Sequence, residues 1–184
     1  MKIYRILNPN RDYKTIKYSG TPIFNNLGKI LWDNANEISN FCYTWETCNQ
    51  NKDICDCPFI VGSIPVFSNF AYKKLSMYVN ENNSQIIPIK IDDKSYFIVN
   101  AIILLDDILN KKKSKISYFS DGRIMNVDEY VFHNKRNIPD LFKISQFQTY
   151  TFVSEKLASA ITEANITGIS LEQCKSTGFI SIFH

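Results

Sequence analysis

Apolar and polar positions alternate over residues 1–7 (MKIYRIL) and 13–18 (YKTIKY), which predicts two short strands around an Asn-Pro-Asn-Arg-Asp turn. From 19 to 58 the pattern weakens, with apolar residues scattered among Asn, Thr and Cys, and one short helix is expected within 34–45. Ser68 reads as an N-cap, followed by a helix of about three turns with Ala71, Leu75, Met77 and Val79 on its apolar face. Residues 85–91 and 94–99 read as a hairpin turning at Asp92-Asp93. Residues 102–109 read as a short helix, because the apolar run ends in Asp106, Asp107 and a Lys-rich stop. A second hairpin joins 115–119 to 123–130 through Asp121-Gly122, and 141–144 and 150–152 read as strands. Ser154 then caps a helix carrying Leu157, Ala158 and Ile161, and Gly168 leads into a last core strand at 169–171.

Two of these stretches match. Val66-Phe67-Ser68 enters a helix with Ala71 and Leu75 beneath and reaches a strand; Phe152-Val153-Ser154 does the same with Leu157 and Ile161. An internal duplication of a strand–helix–strand unit produces this order, and so do the shared needs of any two capped units. The expected fold is α+β, one domain over residues 1–184, mainly antiparallel sheet with a few short helices. Residues 1–57 form its less regular part.

Composition narrows the function classes. With 184 residues, 45 % apolar and 21 % charged, the chain has the makeup of one globular domain. Net charge is +3, and the halves are balanced: residues 1–92 carry ten basic and eight acidic groups, 93–184 eleven and ten. No one-sided basic field of the nucleic-acid-binding kind is present. The start lacks the continuous apolar stretch of a signal peptide, and the longest apolar run, 96–105, is broken by Asn100 and falls short of the ~18 residues of a membrane span. A soluble, cytoplasmic protein is expected, with no membrane partner.

Candidate chemistry is sparse. Cys42, Cys48, Cys55 and Cys57 cluster within sixteen residues, enough thiolates for a tetrahedral zinc, but their gaps of five, six and one do not match the C-x(2–4)-C pairs of common sites. Reduced, partly buried thiols are the expectation, with no metal or cofactor; Cys174 reads as core. The sequence has no G-x-S-x-G, H-E-x-x-H, G-x-G-x-x-G or P-loop motif. His133 lies in a polar loop and His184 at the end; Asp92-Asp93 and Asp106-Asp107 suit turn and helix-terminal roles, since sequence neighbours point apart. Lys111, Lys112, Lys113 and Lys115 precede Tyr118 and Phe119, a pattern able to hold single strands, but cations following a helix C-terminus explain it as well. Ser68 and Ser154 read as caps and not nucleophiles.

The C-terminal two-thirds goes further. Pro65-Val66-Phe67-Ser68, then IIPIKIDDKSYFIVNAIILLDDI, SDGRI, VFHNKRNIPDLFKI and FVSEKLASAITEANITGISLE, taken in order, resemble family eleven of the bacterial polymorphic-toxin immunity proteins. The matched features are Phe152-Val153-Ser154-Glu155, Thr167-Gly168-Ile169, the pair Tyr96-Phe97, Asn100, Asp106-Asp107, and Leu141-Phe142-Lys143-Ile144, with Lys143 where Arg is commoner. The resemblance spans about 58–173 and leaves 1–57 unmatched. It implies an antidote that is not an enzyme and neutralises a cognate toxin domain in the cytosol by stoichiometric protein–protein binding. The alternatives are an enzyme using a clustered Cys, or a small zinc- or nucleic-acid-binding module.

Occupancy needs anchors. The candidates are aromatics that the strand and helix patterns do not require inside, namely Trp45, Tyr118 and Tyr130, each of which has core packing as its alternative. Glu46, Asp53 and Asp56 offer charge to a basic toxin surface, although the +3 net charge argues against a strongly basic partner. Residues 41–57, with Trp45 as anchor, are the expected toxin contact.

Overall fold

The computed structural model describes residues 2–9, 12–18, 44–48, 51–59, 64–135 and 137–177. The helix expected within 34–45 lies outside them, apart from its last two residues, which are strand. The elements in the first half are β1 (Ile3–Leu7), β2 (Thr15–Tyr18), β3 (Thr44–Cys48), β4 (Val66–Ser68), α1 (Asn69–Leu75), β5 (Ser84–Ile91) and β6 (Lys94–Ala101). They are followed by β7 (Leu104–Leu105), β8 (Lys115–Tyr118), β9 (Ile124–Glu129), β10 (Val131–Phe132), β11 (Leu141–Ile144), β12 (Phe147–Ser154), α2 (Glu155–Glu163), β13 (Ser170–Gln173) and β14 (Lys175–Ser176). The class is α+β with mostly antiparallel pairing, as the sequence predicts.

The β5–β6 hairpin is the most local part. Asp92 and Asp93 sit at φ 44° and 63°, the left-handed pair that a two-residue turn between twisted strands demands. Register then runs unbroken from Ile91↔Lys94 to Ser84↔Ala101. Asp92 also holds β3: its carboxylate accepts from the Thr47 amide (3.2 Å) and hydroxyl (2.5 Å), which lowers its pKa.

The two predicted N-terminal strands form, but they do not pair with each other. β1 lies between β12 and β13 in the sheet ordered β13-β1-β12-β11-β7, while β2 is an edge of the second sheet, β2-β3-β5-β6-β4. The chain between them crosses from one sheet to the other. Both faces of the first sheet are covered, so adjacent residues go to different cores: Leu141 and Val153 join α1 and α2, whereas Phe142 and Phe152 face Phe132 and Val127. Such strands read as continuous apolar runs. The core between the sheets holds Ala71 and Leu75 of α1, Leu157 and Ile161 of α2, Val99 of β6 and Ile6 of β1.

Two expectations are corrected. Residues 102–109 are extended: β7 pairs in parallel with β11, the Ile103 carbonyl accepts from the Lys143 amide (2.9 Å), and Asp107 at φ 52° breaks any helical turn. Non-local strand pairing outweighs the weak helical preference of a short run rich in Ile. Helix α1 stops at Leu75; the Tyr78 and Val79 amides donate to the Leu75 carbonyl, which turns Val79 inward and leaves Met77 80 % exposed. Among the described residues β13 lies at the sheet edge, with Ser170, Glu172 and Gln173 exposed, while Ile169 and Leu171 pack against the core as expected.

The matching stretches prove alike in topology. β4 and β5 both run antiparallel to β6, and β12 and β13 both run antiparallel to β1, so each helix links two strands separated by one antiparallel neighbour. Ser68 caps α1 by accepting from the Ala71 amide (3.1 Å), and Ser154 caps α2 by accepting from the Leu157 amide (3.2 Å). Behind each cap stands an aspartate: Ser68 Oγ donates to Asp56 Oδ1 (3.1 Å) and Ser154 Oγ to Asp140 Oδ1 (2.5 Å). The serine amides donate to the same aspartates' carbonyls (2.7 and 3.0 Å). A cap requires the serine but not the aspartate, so the likeness exceeds what capping demands.

Candidate functional site

Asp56 does more than back a cap. Its Oδ2 accepts from the Thr167 hydroxyl (2.7 Å) and amide (3.1 Å), while its own amide donates to Thr167 Oγ1 (2.9 Å). The Cys57 amide donates to the Thr167 carbonyl (2.9 Å). Residues 55–57 are thus clasped onto the turn between α2 and β13. Gly168, at φ 80°, allows the approach: a Cβ there would overlap Cys55 Sγ and lie 2.5 Å from Cys55 Cβ. Asp56, predicted to face a toxin, has both carboxylate oxygens engaged inside the chain.

The other predicted site residues are dispersed. Trp45 lies on β3 opposite Tyr18 and Ile91, with its side chain outside the described residues. Glu46 and Asp53 are exposed. Tyr130 is a correction: it is 3 % exposed, packs edge-on to Phe152 and Tyr150, and lies under the Arg5 guanidinium, 5.1 Å from its ring centroid. Burial pushes its phenol pKa well up. It is a core residue and offers a partner no surface.

Among the clustered thiols, Cys42 lies outside the described residues and Cys48 is half-buried. Cys55 and Cys57 are buried, and burial raises the Cys55 thiol to about 11 and the Cys57 thiol well above its ordinary value. Both are held as thiols, the form unsuited to nucleophilic attack or metal ligation. Among the described residues, no three His, Cys, Asp or Glu side chains stand close enough to share a metal. His133 is exposed beside β10, its amide donating to the Ile108 carbonyl (2.8 Å). A cavity of about 290 Å³ at the start of α2 includes Ser154, Lys2 and Asp140, but that hydroxyl is already committed to Asp140 and the Leu157 amide.

Lys143 and Asn100, both within motifs singled out in the sequence, meet in the interior. Lys143 Nζ donates to Asn100 Oδ1 (2.7 Å), tying β11 of one sheet to β6 of the other, and burial lowers the ammonium pKa to about 8.

The exposed apolar side chains concentrate elsewhere. Among the described residues, Tyr118 (50 %), Phe119 (48 %) and Met125 (49 %) all lie near the tip of the β8–β9 hairpin. Tyr118 pairs with Ile124, and a register shift places Met125 beside them. The tip is a three-residue loop: the Gly122 amide donates to the Phe119 carbonyl (3.0 Å) and the Phe119 amide to the Arg123 carbonyl (2.8 Å), with Gly122 at φ 84°. Arg123 pairs with Asp121 (2.8 Å) and lies 5.6 Å from the Phe119 ring centroid. The other side of the hairpin is fixed, since Ile116, Ile124 and Val127 pack into the core around Phe132 and Phe152. Tyr118 stood out in the sequence as a contact, but Phe119, Met125 and Arg123 did not; the available signal was two consecutive aromatics in a strand, of which alternation can bury only one.

Before β8, Lys111–Lys113 form a turn and not a helix end: the Lys113 and Ser114 amides donate to the Asn110 carbonyl (3.1 and 2.9 Å). Ser114 fastens this turn to β10, accepting from the Val131 amide (3.0 Å).

No protein-family model matches the chain, and no curated protein matches it significantly. Among the described residues, no helix is long and apolar enough to cross a membrane.

Proposed function

We propose that this chain is an immunity-type antidote that neutralises a toxin domain in the cytosol by stoichiometric binding. The observation that carries the reading is the β8–β9 tip, where Tyr118, Phe119, Met125 and Arg123 are presented on a hairpin whose other side is locked into the core. Tyr, Phe, Met and Arg are the residue types enriched in protein–protein interfaces, and an anchored hairpin loses little freedom on docking. Exposed apolar residues scattered singly need no explanation, but three at one tip do. The enzyme reading that uses a clustered Cys is weakened by the burial of Cys55 and Cys57 as thiols.

The reading expects a toxin gene beside this one, and the test is co-expression with the toxin domain encoded there. Cells carrying both should grow and yield a complex with one copy of each chain. Continued toxicity, with this chain folded and abundant, would overturn the proposal.

A further inference from the structure

The β8–β9 hairpin and the turn before it make one surface of uneven charge. Lys111, Lys112, Lys113 and Lys115 are exposed, and among the described residues none has an ion-pair partner. Of the nearby carboxylates, Asp121 pairs with Arg123 (2.8 Å) and Glu129 with Lys175 (2.8 Å), while Asp128 keeps its charge and accepts from the Asn126 amide group (2.7 Å). An excess of positive charge therefore stands at the hairpin base, where these four lysines and Lys175 face Glu129 and Asp128, and the apolar side chains stand at its tip. The four residues of β8 separate them by about 13 Å, within a single ordinary interface patch.

We propose that this surface docks on an acidic protein face, with the four lysines steering the approach and Tyr118, Phe119 and Met125 as anchors. The proposal rests on the binding reading above and fixes the sign of the partner's charge, opposite to the one that Glu46, Asp53 and Asp56 would select. A protein partner fits better than a nucleic acid for two reasons. Arg123 lies over one face of the Phe119 ring, and Met125 beside Tyr118 and Phe119 offers apolar surface to bury but no ring to stack on a base. The lysines act on the association rate and the anchors on dissociation.

The experiment measures binding kinetics of the full chain with the adjacent toxin domain at about 50 mM and about 500 mM salt, where screening differs strongly. The triple variant Lys111→Glu, Lys112→Glu, Lys113→Glu should slow association about tenfold or more at low salt and converge with the unaltered chain at high salt, while the triple Arg variant should behave as the original. Tyr118→Ala with Phe119→Ala should speed dissociation about tenfold or more. All these positions are exposed, and an unchanged melting temperature checks the fold. Tight binding with none of these changes would overturn the surface and leave the antidote reading standing. Without toxin binding, both fall. Binding to a thymidine 20-mer or to phosphatidylserine vesicles that the Glu variant abolishes would likewise overturn the acidic-protein assignment, in favour of nucleic acid or membrane.

Discussion

Gly168 and Gly122 both hold a positive φ, 80° and 84°, but only Gly168 has neighbours where a Cβ would go. Gly122→Ala should cost about 1 kcal/mol, the backbone penalty alone. Gly168→Ala adds overpacking against Cys55 and should cost roughly 2–4 kcal/mol in urea unfolding. Equal losses would mean that the 55–57 segment does not press on this turn. Lys143 makes a second residue-scale prediction. Its ammonium titrates near 8 in the folded chain against 10.5 unfolded, so between these values unfolding takes up a proton and stability rises with pH. Below about 8 both states are charged and the folded one bears the full burial cost, on the order of 3 kcal/mol. Lys143→Met removes this dependence, so the unaltered chain should gain on the variant between pH 7 and 10; a constant difference contradicts it. Neither residue's partner was readable from sequence. Thr167-Gly168 stood out as a motif, but Cys55 lies more than a hundred residues away, and nothing local marks Lys143 as buried beside Asn100.

At the scale of elements, local chemistry was legible and non-local pairing was not. Both hairpins and both Ser caps follow from residues within a few positions of each other: two aspartates with φ above zero, an Asp-Gly loop, a serine before an apolar helix face. Residues 102–109 misled because their extended form depends on β11, nearly forty residues on. The pairing of β1 with β12 and β13 depends on still more distant residues. The clasp is the element whose role changes most, from toxin contact to internal staple. Asp56→Ala removes the acceptor for the Ser68 and Thr167 hydroxyls and the Thr167 amide, and should lower stability by about 1–3 kcal/mol while leaving toxin affinity unchanged in the folded fraction. A large affinity loss without a stability loss would return Asp56 to the interface.

For the whole molecule, fold class was legible because alternation and caps define it, whereas the surface was not, because exposure depends on how the sheets pack. Tyr118 and Tyr130 looked equivalent as sequence and end on opposite sides of that division, one half exposed and one in the core. The same packing encloses Cys55, Cys57 and Cys174, the last raised by burial to about 12. A thiol reagent at neutral pH should label these three only on unfolding, whereas Cys48 should react in the native chain; rapid native labelling of Cys55 or Cys57 would revive thiol chemistry.

Neutralisation by occupancy fixes a stoichiometry, and a titration reads it. Purified chain is added in steps to a fixed amount of the adjacent toxin domain, well above the dissociation constant, and residual toxin activity and intact mass are followed. Occupancy requires a linear fall to zero at one chain per toxin, with the toxin's mass unchanged and its activity restored when the complex is separated. Complete inactivation by a small fraction of an equivalent, or a changed toxin mass, would contradict it.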